Sequence, residues 1–508
     1  MNKTSGNGTK VQDLKVENQE RRRFLKSALV AAASMEGFIP RLAAQTTRAS
    51  VDTAAIRDLK AKVRGEVLVP GDAGYDVARV GFVRSMEQRP AVVVVAESEQ
   101  EVIAAVKFAR DRRLGIGVQG TGHGITRPAN GGMLVNTSRM KAVEVFPSRR
   151  VARVQAGAKW KDVVPQVQPH GLAALSGSST DVGVVGYTLG GGTGWFARRY
   201  GYAANSVISA DVVTADGRLL HVSETENPDL FWAIRGGAGN FGIVTRLEFK
   251  LYPVKEFYGG SVFFPAENTR EVLQAYSGWV KGQPDALTSR VAIYNLPPIP
   301  AVPEPLRGRW VVAVQGAYLG TETEGANLLR PIRQIAKPVV DTFATMPYAQ
   351  IDTIANDPQE PMPVILHTGT IADISPQLVD RLLQAVRLGE RSFVVQVEMR
   401  HLGGALAAFP PSGSAVGCPL GKFWFNAIVV FGTPQENALA GQEMAKIREA
   451  VEPFLTGRVF LNGLGGATDS TRARSAYSPE NYQRLVAIKR QYDPNNLFRF
   501  NSNIDPRA

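Results

Sequence analysis

Cysteine and histidine are scarce in this chain. Of its 508 residues only Cys418 is a cysteine, and five are histidines. A lone cysteine cannot close an intramolecular disulfide and makes a thiolate metal site implausible, and so few histidines argue against a metal cluster. We therefore expect the protein to work without a metal.

A long apolar run and a concentrated basic surface are also missing. The apolar N-terminal stretch at 27–33 is too short to span a bilayer, so we expect no stable membrane insertion. The formal net charge is +12, but no basic stripe is interleaved with aromatic residues, and we expect no nucleic-acid partner. The balance of 44% hydrophobic and 20% charged residues indicates a soluble globular protein of two or more domains.

Residues 1–44 resemble a bacterial twin-arginine export signal. The segment is polar up to Glu20, reads RRRFLK at 21–26, and has small residues near 42–44. Glu36 departs from a clean apolar region. We expect export by the twin-arginine route, to the periplasm or out of the cell. A basic amphipathic helix at the edge of the first domain is the alternative.

A glycine-alternating turn closes the stretch GIGVQGTGHG at 115–124. Gly120, Gly122 and Gly124 allow positive φ and bring several backbone N–H donors towards an anion, as in a phosphate-binding nest. His123 would lie beside that anion. Taken alone, the stretch fits a glycine-rich surface turn equally well.

The elements around this turn favour a ligand site. We expect a buried strand within 90–95, a helix capped by Ser98 and Glu101, and a second strand that runs into the turn. This β-α-β order places the turn at a strand end, where α/β architectures hold ligands.

A dinucleotide pattern further along the chain is misleading. Gly237, Gly239 and Gly242 satisfy GxGxxG by letter, but a strand at 243–249 follows where a helix is required. This excludes a Rossmann site there.

Residues 256–460 show another pattern. We expect strands at 259–264, 309–318, 392–400 and 423–430, and helices at 268–281, 324–335, 376–388 and 436–454. Strands interrupted by helices in this way are typical of an antiparallel sheet backed by helices, an α+β layer. Such a layer would serve as a lid over a site in the preceding domain.

Four motifs follow one another in the order of a known family. They read GTGHG at 120–124, SGSSTDVGVVGYTLGGGTGW at 176–195, NPDLFWAIRGGAGNFGIVT at 227–245 and AYSPENYQRLVAIKRQYDPNNLFRFNSNI at 476–504. In this order they resemble the FAD-linked oxidases related to berberine bridge enzyme. The resemblance implies a two-domain α+β fold, with a PCMH-type FAD-binding domain at 54–255 and 461–508 and an antiparallel-sheet substrate domain inserted at 256–460.

The resemblance also implies a cofactor site. The family's flavin-attachment histidine falls on His123, which implies a covalent bond to the 8α-methyl of FAD, and the backbone at 120–124 would hold the pyrophosphate. Ser179 stands where some members have a second, cysteinyl attachment, so we expect the histidyl link alone. Gln119 stands where many relatives have arginine. The other expected contacts are Gly120, Thr121, Gly122, Gly124, Val182, Gly183, Gly186, Gly190, Gly191, Gly192, Asn240, Gly242, Ile243, Val244, Asn501 and Asn503.

The implied reaction is two-electron oxidation of a CH–OH or CH–NH group in a small molecule, with hydride transfer to FAD and oxygen or another acceptor taking the electrons. Oxidative ring closure on a natural product is one alternative. A flavin-bearing protein that binds a drug and confers resistance is another.

Such oxidation needs a base near the reacting carbon. Tyr477 is the first candidate because it lies in the C-terminal motif, although a phenol with a pKa of ~10 needs a neighbouring cation or the flavin itself. Glu398 is the second, because alternation along 392–400 puts it on one strand face with Gln396 and Arg400. A solvent-facing strand is the alternative there.

Overall fold

The computed structural model describes residues 52–408, 413–417, 421–465, 470–500 and 502–508. The predicted export signal, Cys418 and the predicted flavin contact Asn501 lie outside these ranges. Within them the chain forms three β-sheets, and none of the helices there is long and apolar enough to cross a membrane.

The first sheet carries the glycine-alternating turn. Its order is β1-β2-β4-β3, with β2, β4 and β3 parallel and β1 antiparallel to β2. Helix α3 joins β2 to β3 and is N-capped by the Ser98 side chain, so the predicted β-α-β unit is confirmed. The elements are α1 (Thr53–Lys60), β1 (Glu66–Leu68), α2 (Tyr75–Arg79), β2 (Val92–Val95), α3 (Glu99–Asp111), β3 (Ile116–Gln119) and β4 (Met133–Asn136).

The second sheet is antiparallel, in the order β5-β6-β9-β7-β8. Strand β9 begins directly after the glycines of the GxGxxG pattern, which confirms that this pattern does not open a helix. The elements are β5 (Val143–Phe146), β6 (Val151–Gln155), α4 (Trp160–Val167), α5 (Val184–Leu189), α6 (Ala197–Tyr200), β7 (Val207–Val213), β8 (Leu219–Ser223), α7 (Pro228–Ile234) and β9 (Ile243–Lys250).

The third sheet is the predicted antiparallel layer. Its order is β13-β10-β12-β11-β16-β17-β15, and β14 pairs with β10. The strands are β10 (Glu256–Pro265), β11 (Leu287–Asn295), β12 (Trp310–Tyr318), β13 (Val340–Asp341), β14 (Ala344–Pro347), β15 (Val364–Ile371), β16 (Val394–His401) and β17 (Phe423–Val430). The sequence analysis did not predict β11 or β15, and both are long.

One face of the third sheet packs on helices. Apolar side chains of β10, β11, β12, β16 and β17 form one core with α8 (Thr269–Trp279), α9 (Glu322–Arg333), α10 (Pro376–Val386) and α12 (Pro434–Val451). On β16 this face carries Val397 and Met399, so alternation turns Gln396, Glu398 and Arg400 to the opposite face. We call that side of the sheet the polar face. The short helix α11 (Ala405–Ala408) follows β16.

The C-terminal segment returns to the first two sheets. It contains α13 (Ser470–Arg474) and α14 (Pro479–Tyr492). The fully buried Lys489 of α14 donates to the carbonyls of Asn240 and Phe498 and to Asp493 Oδ2, at 2.7, 2.9 and 2.7 Å. A second connection lies at the start of β3, where Ile116 N donates to Leu497 O. These hydrogen bonds hold the C-terminal segment next to the strand that leads into the glycine-alternating turn.

Candidate active site

The turn after β3 offers free backbone donors. Gly122 has a φ of +72°, and a Cβ added there would lie 2.3 Å from Gly81 Cα, so this position requires glycine. The carbonyls of Thr121 and Gly122 accept from Phe82 N and Val83 N. Among the described residues, the N–H groups of 120–124 have no acceptor. This arrangement fits an anion such as a pyrophosphate.

His123 has a defined orientation in this turn. Its ring stacks on Phe82 with 3.9 Å between the centroids, and Nδ1 lies 2.8 Å from Thr121 Oγ1. Its Nε2 lies 4.0 Å from Asp181 Oδ2. Burial lowers the pKa of the His123 imidazole to about 4, although the Asp181 charge opposes this shift. The imidazole is therefore neutral at pH 7, with a lone pair available for bonding.

Asp181 connects this turn to the second glycine-dense motif. Burial acts to raise its pKa, but hydrogen bonds from Lys159 and Lys161, at 2.8 and 2.7 Å, outweigh burial and lower it. The predicted contact Ser179 accepts from Asp181 N at 3.3 Å. A Cβ at the predicted Gly183 would lie 3.2 Å from Thr121 Cγ2. The structure thus brings Thr121, His123, Ser179 and Gly183 together. The sequence analysis missed Asp181.

Helix α5 and the three glycines after it form the next part of the site. Gly186 is exposed, with no atom within 4 Å of an added Cβ, so α5 has an open side there. Asn462 donates to Tyr187 O at 3.0 Å and accepts from Gly192 N at 2.9 Å, and its amide would clash with a Cβ at Gly190. The chain therefore holds residues 190–192 in place. Of the other predicted contacts in segment 182–192, Gly191 is buried and Val182 is half-buried.

Several predicted contact residues have side chains that form hydrogen bonds or pack with other residues of the protein. Gln119 bonds to Gln88 and to Val80 O, at 2.8 and 3.2 Å, rather than pointing at an anion. Asn240 donates to Gly237 O and Ser502 O and accepts from Ile504 N, each at 2.8 Å. Ile243 and Val244 lie in the apolar cores, and a Cβ at Gly242 would meet Val212 Cγ1. These positions can contact a cofactor only through their backbone.

Asn503 is different from these residues. It is 9% exposed, and its buried Oδ1 has no hydrogen-bond partner among the described residues. An unpaired buried carbonyl is costly unless a ligand satisfies it. This fits the predicted contact with the flavin.

The polar face of the third sheet holds the predicted Glu398. This side chain is buried, so the alternative of a solvent-facing strand is wrong. Its carboxylate accepts from Arg290, from Gln396 Nε2 at 3.0 Å and from Arg400 at 3.4 Å. Burial acts to raise the pKa of Glu398, but Arg290 and Arg400 outweigh burial and lower it. Glu398 is ionised at neutral pH.

Arg290 is fixed by further partners, none of which the sequence analysis identified. Its Nε donates to Gln315 Oε1 at 2.7 Å, and one terminal nitrogen donates to Tyr294 Oη at 3.0 Å. Gln315 in turn donates to Ser261 Oγ at 2.8 Å. The carboxylate is thus held by a network that spans β10, β11, β12 and β16.

The polar face lies against the second glycine-dense motif. One terminal nitrogen of Arg400 donates to Thr193 O at 3.3 Å, directly after the three glycines. Both Arg290 and Arg400 lie on the ring of Trp195, at 5.1 and 5.5 Å from its centroid. Glu398 is therefore connected through Arg400 to the segment predicted to line the flavin.

Tyr477 has a different environment from the one that a base requires. Its hydroxyl is buried and donates to Gly236 O at 3.0 Å. Burial raises the pKa of Tyr477 well above its ordinary value, and the nearby Tyr482 raises it further. Among the described residues, no cation lowers this pKa. This environment disfavours Tyr477 as the base, against the sequence-based prediction.

Two family models match the chain. The model "FAD binding domain" matches residues 90–223, and "Berberine and berberine like" matches residues 459–505. The first match contains the turn, His123 and the three glycines, and the second contains Tyr477, Lys489 and Asn503.

Known proteins with similar sequence and structure include two hydroxynicotine oxidases. The (R)-6-hydroxynicotine oxidase of Paenarthrobacter nicotinovorans is 29% identical over 470 residues, which cover 88% of this chain and 98% of that protein. The solved 6-hydroxy-D-nicotine oxidase of Arthrobacter nicotinovorans is 25% identical, with a TM-score of 0.76 over 87% of this chain and 98% of that one.

A further solved structure shows the fold alone. The glucooligosaccharide oxidase of Acremonium strictum, which carries a 6-S-cysteinyl, 8α-N1-histidyl FAD, is 23% identical, with a TM-score of 0.77 over 89% of this chain and 99% of that one.

Proposed function

We propose that this FAD-dependent oxidoreductase, with its FAD-binding domain and berberine-like C-terminal segment, oxidises a CH–OH or CH–NH group of a small molecule on the polar face, with Glu398 as the base. The observation that carries this proposal is the buried, ionised carboxylate of Glu398, connected through Arg400 to the glycine motif. The bound FAD would accept the hydride and pass the electrons to oxygen or another acceptor.

Glu398 would take the proton from the substrate O–H or N–H. Loss of that proton makes the neighbouring C–H a better hydride donor. Arg290 would keep the carboxylate ionised and oriented, and burial would exclude water from it. Tyr477 would instead position the Gly236 backbone.

FAD would be held by the chain at three places. The free N–H groups of 120–124 would bind its pyrophosphate, the segment 182–192 would lie along it, and Asn503 would bond to it. We also propose a single covalent link from a ring nitrogen of His123. The neutral imidazole supports this link, and Ser179 in place of cysteine supports the absence of a second one.

The names of the relatives bear on the substrate. Hydroxynicotine oxidases by name act on hydroxynicotine, and the glucooligosaccharide oxidase by name acts on an oligosaccharide of glucose. An amine nitrogen is present in the first compound and CH–OH groups are present in the second, so the names support testing both amines and hydroxyl compounds. Neither a natural-product cyclase nor a drug-binding resistance protein is favoured by an observation on this chain.

We further propose the domain assignment and the export route given by the sequence. Residues 54–255 and 461–508 would form the FAD domain, supported by the contacts of Lys489 with Asn240 and Phe498. Residues 256–460 would form the substrate domain. Arg21 and Arg22 would direct twin-arginine export, and Arg21→Lys/Arg22→Lys should retain the protein in the cytoplasm of a bacterial host if they do.

The proposed function is tested by mixing the purified holoprotein with a panel of alcohols, sugars, amines, hydroxy acids and amino acids. We expect anaerobic loss of the oxidised flavin absorbance with at least one class of compound, and a much slower loss for Glu398→Gln that retains FAD. Full flavin reduction by Glu398→Gln at the wild-type rate would contradict the assignment of the base.

A further inference from the structure

Arg400 is an incompletely paired cation in the interior. Its side chain is 5% exposed, and its Nε has no acceptor among the described residues. Its two hydrogen bonds within the described part of the chain, to Thr193 O and Glu398, are long at 3.3 and 3.4 Å. A buried guanidinium has five N–H donors to satisfy, and leaving them unpaired is costly.

Two indole side chains beside Arg400 also have N–H groups without an acceptor among the described residues. The Arg400 guanidinium carbon lies 5.5 Å from the Trp195 ring centre and 5.1 Å from that of Trp424. Neither indole Nε1 has an acceptor within the described part of the chain. Together with Arg400 Nε, this part of the polar face holds three buried N–H donors without a partner.

The charges on the polar face are also unequal. Arg290 and Arg400 stand directly opposite each other on β11 and β16, and like charges at such positions repel. Both share the one carboxylate of Glu398. The nearby Asp357 acts through space on Arg290, but the hydrogen bonds and ion pair that Arg400 makes with other described residues do not include Asp357. Arg400 is therefore the group left without a full counter-charge.

We propose that Arg400 binds a carboxylate of the substrate, so that the substrate class is an organic acid oxidised at the carbon beside its carboxylate, an α-hydroxy or α-amino acid. This inference rests on the proposed function. A carboxylate matches the planar guanidinium in a two-bond arrangement, and unpaired indole donors suit the same acceptor-rich group.

The position of Glu398 selects the reacting atom. Because its carboxylate lies 3.4 Å from Arg400, a ligand carboxylate on the guanidinium places the hydroxyl or amine on the next carbon beside the base. The substrate would lose one proton to Glu398 and one hydride, with its two electrons, to bound FAD, and the product would be a 2-oxo or 2-imino acid. Oxygen or another acceptor would then take the two electrons.

The carbonyl groups of FAD are the other acceptors that these donors could serve. The two cases differ in what a change at Arg400 alters. If a substrate carboxylate is the partner, Arg400→Gln weakens binding of charged ligands and leaves the FAD content unchanged. If the flavin is the partner, the same change alters the FAD content or the FAD spectrum, and charged and neutral ligands bind with equal affinity.

The test compares a charged ligand with its neutral analogue by calorimetric titration of the holoprotein. We expect benzoate to bind at least tenfold more tightly than benzamide. Arg400→Gln should remove that difference, Arg400→Lys should retain part of it, and Arg307→Gln, the same change at an exposed arginine, should leave it intact. The benzoate-to-benzamide ratio of the wild type decides the matter if Arg400→Gln does not fold.

A second arm uses turnover. Mandelate should bleach the flavin anaerobically and mandelamide should not. Equal binding of benzoate and benzamide, binding of neither, or reduction by mandelamide as fast as by mandelate overturns the proposal. If neutral alcohols or amines still reduce the flavin, the proposed function stands while this inference fails. If no class of compound reduces it, the proposed function fails as well.

Discussion

Arg290 donates a hydrogen bond to Glu398 in the interior of the protein, where each of the two side chains is 2% exposed. Burying two charges costs several kcal/mol per ion unless their other donors and acceptors are also satisfied. Gln315 and Tyr294 satisfy Arg290, and Gln396 serves Glu398. The pair therefore holds a buried carboxylate in its ionised form.

This pair predicts the pH dependence of the enzyme. Because the arginines lower the pKa of Glu398, the acid limb of kcat/KM should lie below the ordinary pKa of a glutamate. Arg290→Gln removes one positive charge, raises that pKa, and should move the limb to higher pH by about 1–3 units. A pH–rate profile checks this. Arg307→Gln should not move the limb, and an unchanged limb in Arg290→Gln would mean that another group titrates.

The same shift has a consequence for stability. The pKa of Glu398 is lower in the folded protein than in the unfolded chain, so its ionisation stabilises the fold at pH values above the unfolded pKa. That contribution is lost as the pH falls through the folded pKa. Acid should therefore unfold the wild type at a lower pH than Arg290→Gln, which circular dichroism against pH measures.

The sequence predicted those parts of the site that depend on local pattern. Glycine spacing located the turn at His123, and period-2 alternation placed Glu398 and Arg400 on one face. Burial of that face could not be predicted, because it depends on pairing with Arg290, 108 residues earlier. Strand β11 was missed because it is buried on both faces and its polar residues interrupt the apolar pattern.

Contacts between distant segments explain the other omissions. Asp181 and Asn462 act on His123 and on the three glycines only after folding. Tyr477 was in the expected motif, but the motif could not show that its hydroxyl would be buried and would donate a hydrogen bond to Gly236 O. Sequence patterns thus located segments, and tertiary packing decided the roles of the side chains.

The turn at Gly122 should be intolerant of any side chain. Gly122→Ala combines a positive φ, which costs about 1–2 kcal/mol, with a Cβ 2.3 Å from Gly81 Cα. We expect at least a tenfold loss in FAD affinity for protein refolded with FAD. Gly131→Ala is the matched control, because its φ is +68° and nothing lies within 4 Å of an added Cβ. Equal FAD affinity of the two variants would show that the turn does not hold the cofactor.

The buried pair Lys489 and Asp493 should be important for stability. Lys489→Met leaves Asp493 without its cation and removes the hydrogen bonds to Asn240 O and Phe498 O. Breaking such a pair costs about 3–5 kcal/mol of unfolding free energy. Denaturant unfolding measures it, with the exposed Lys446→Met as control. A loss no larger than that of the control would contradict the structural role of Lys489.

The proposed covalent link is tested at His123. After acid denaturation the yellow colour should stay with the wild-type polypeptide, while His123→Ala should release or lack it. Ser179→Ala should behave like the wild type, because we expect no link there. Colour that leaves the wild-type chain on denaturation would show that FAD is bound without a covalent bond.

The role of Glu398 is tested most directly by single-turnover reduction of the flavin in Glu398→Gln, under anaerobic conditions with a substrate that the wild type oxidises. Loss of a general base should slow flavin reduction by 10²–10⁴-fold, with FAD content unchanged and with the exposed Glu449→Gln at the wild-type rate. Reduction of the Glu398→Gln flavin within a few-fold of the wild-type rate would contradict the account.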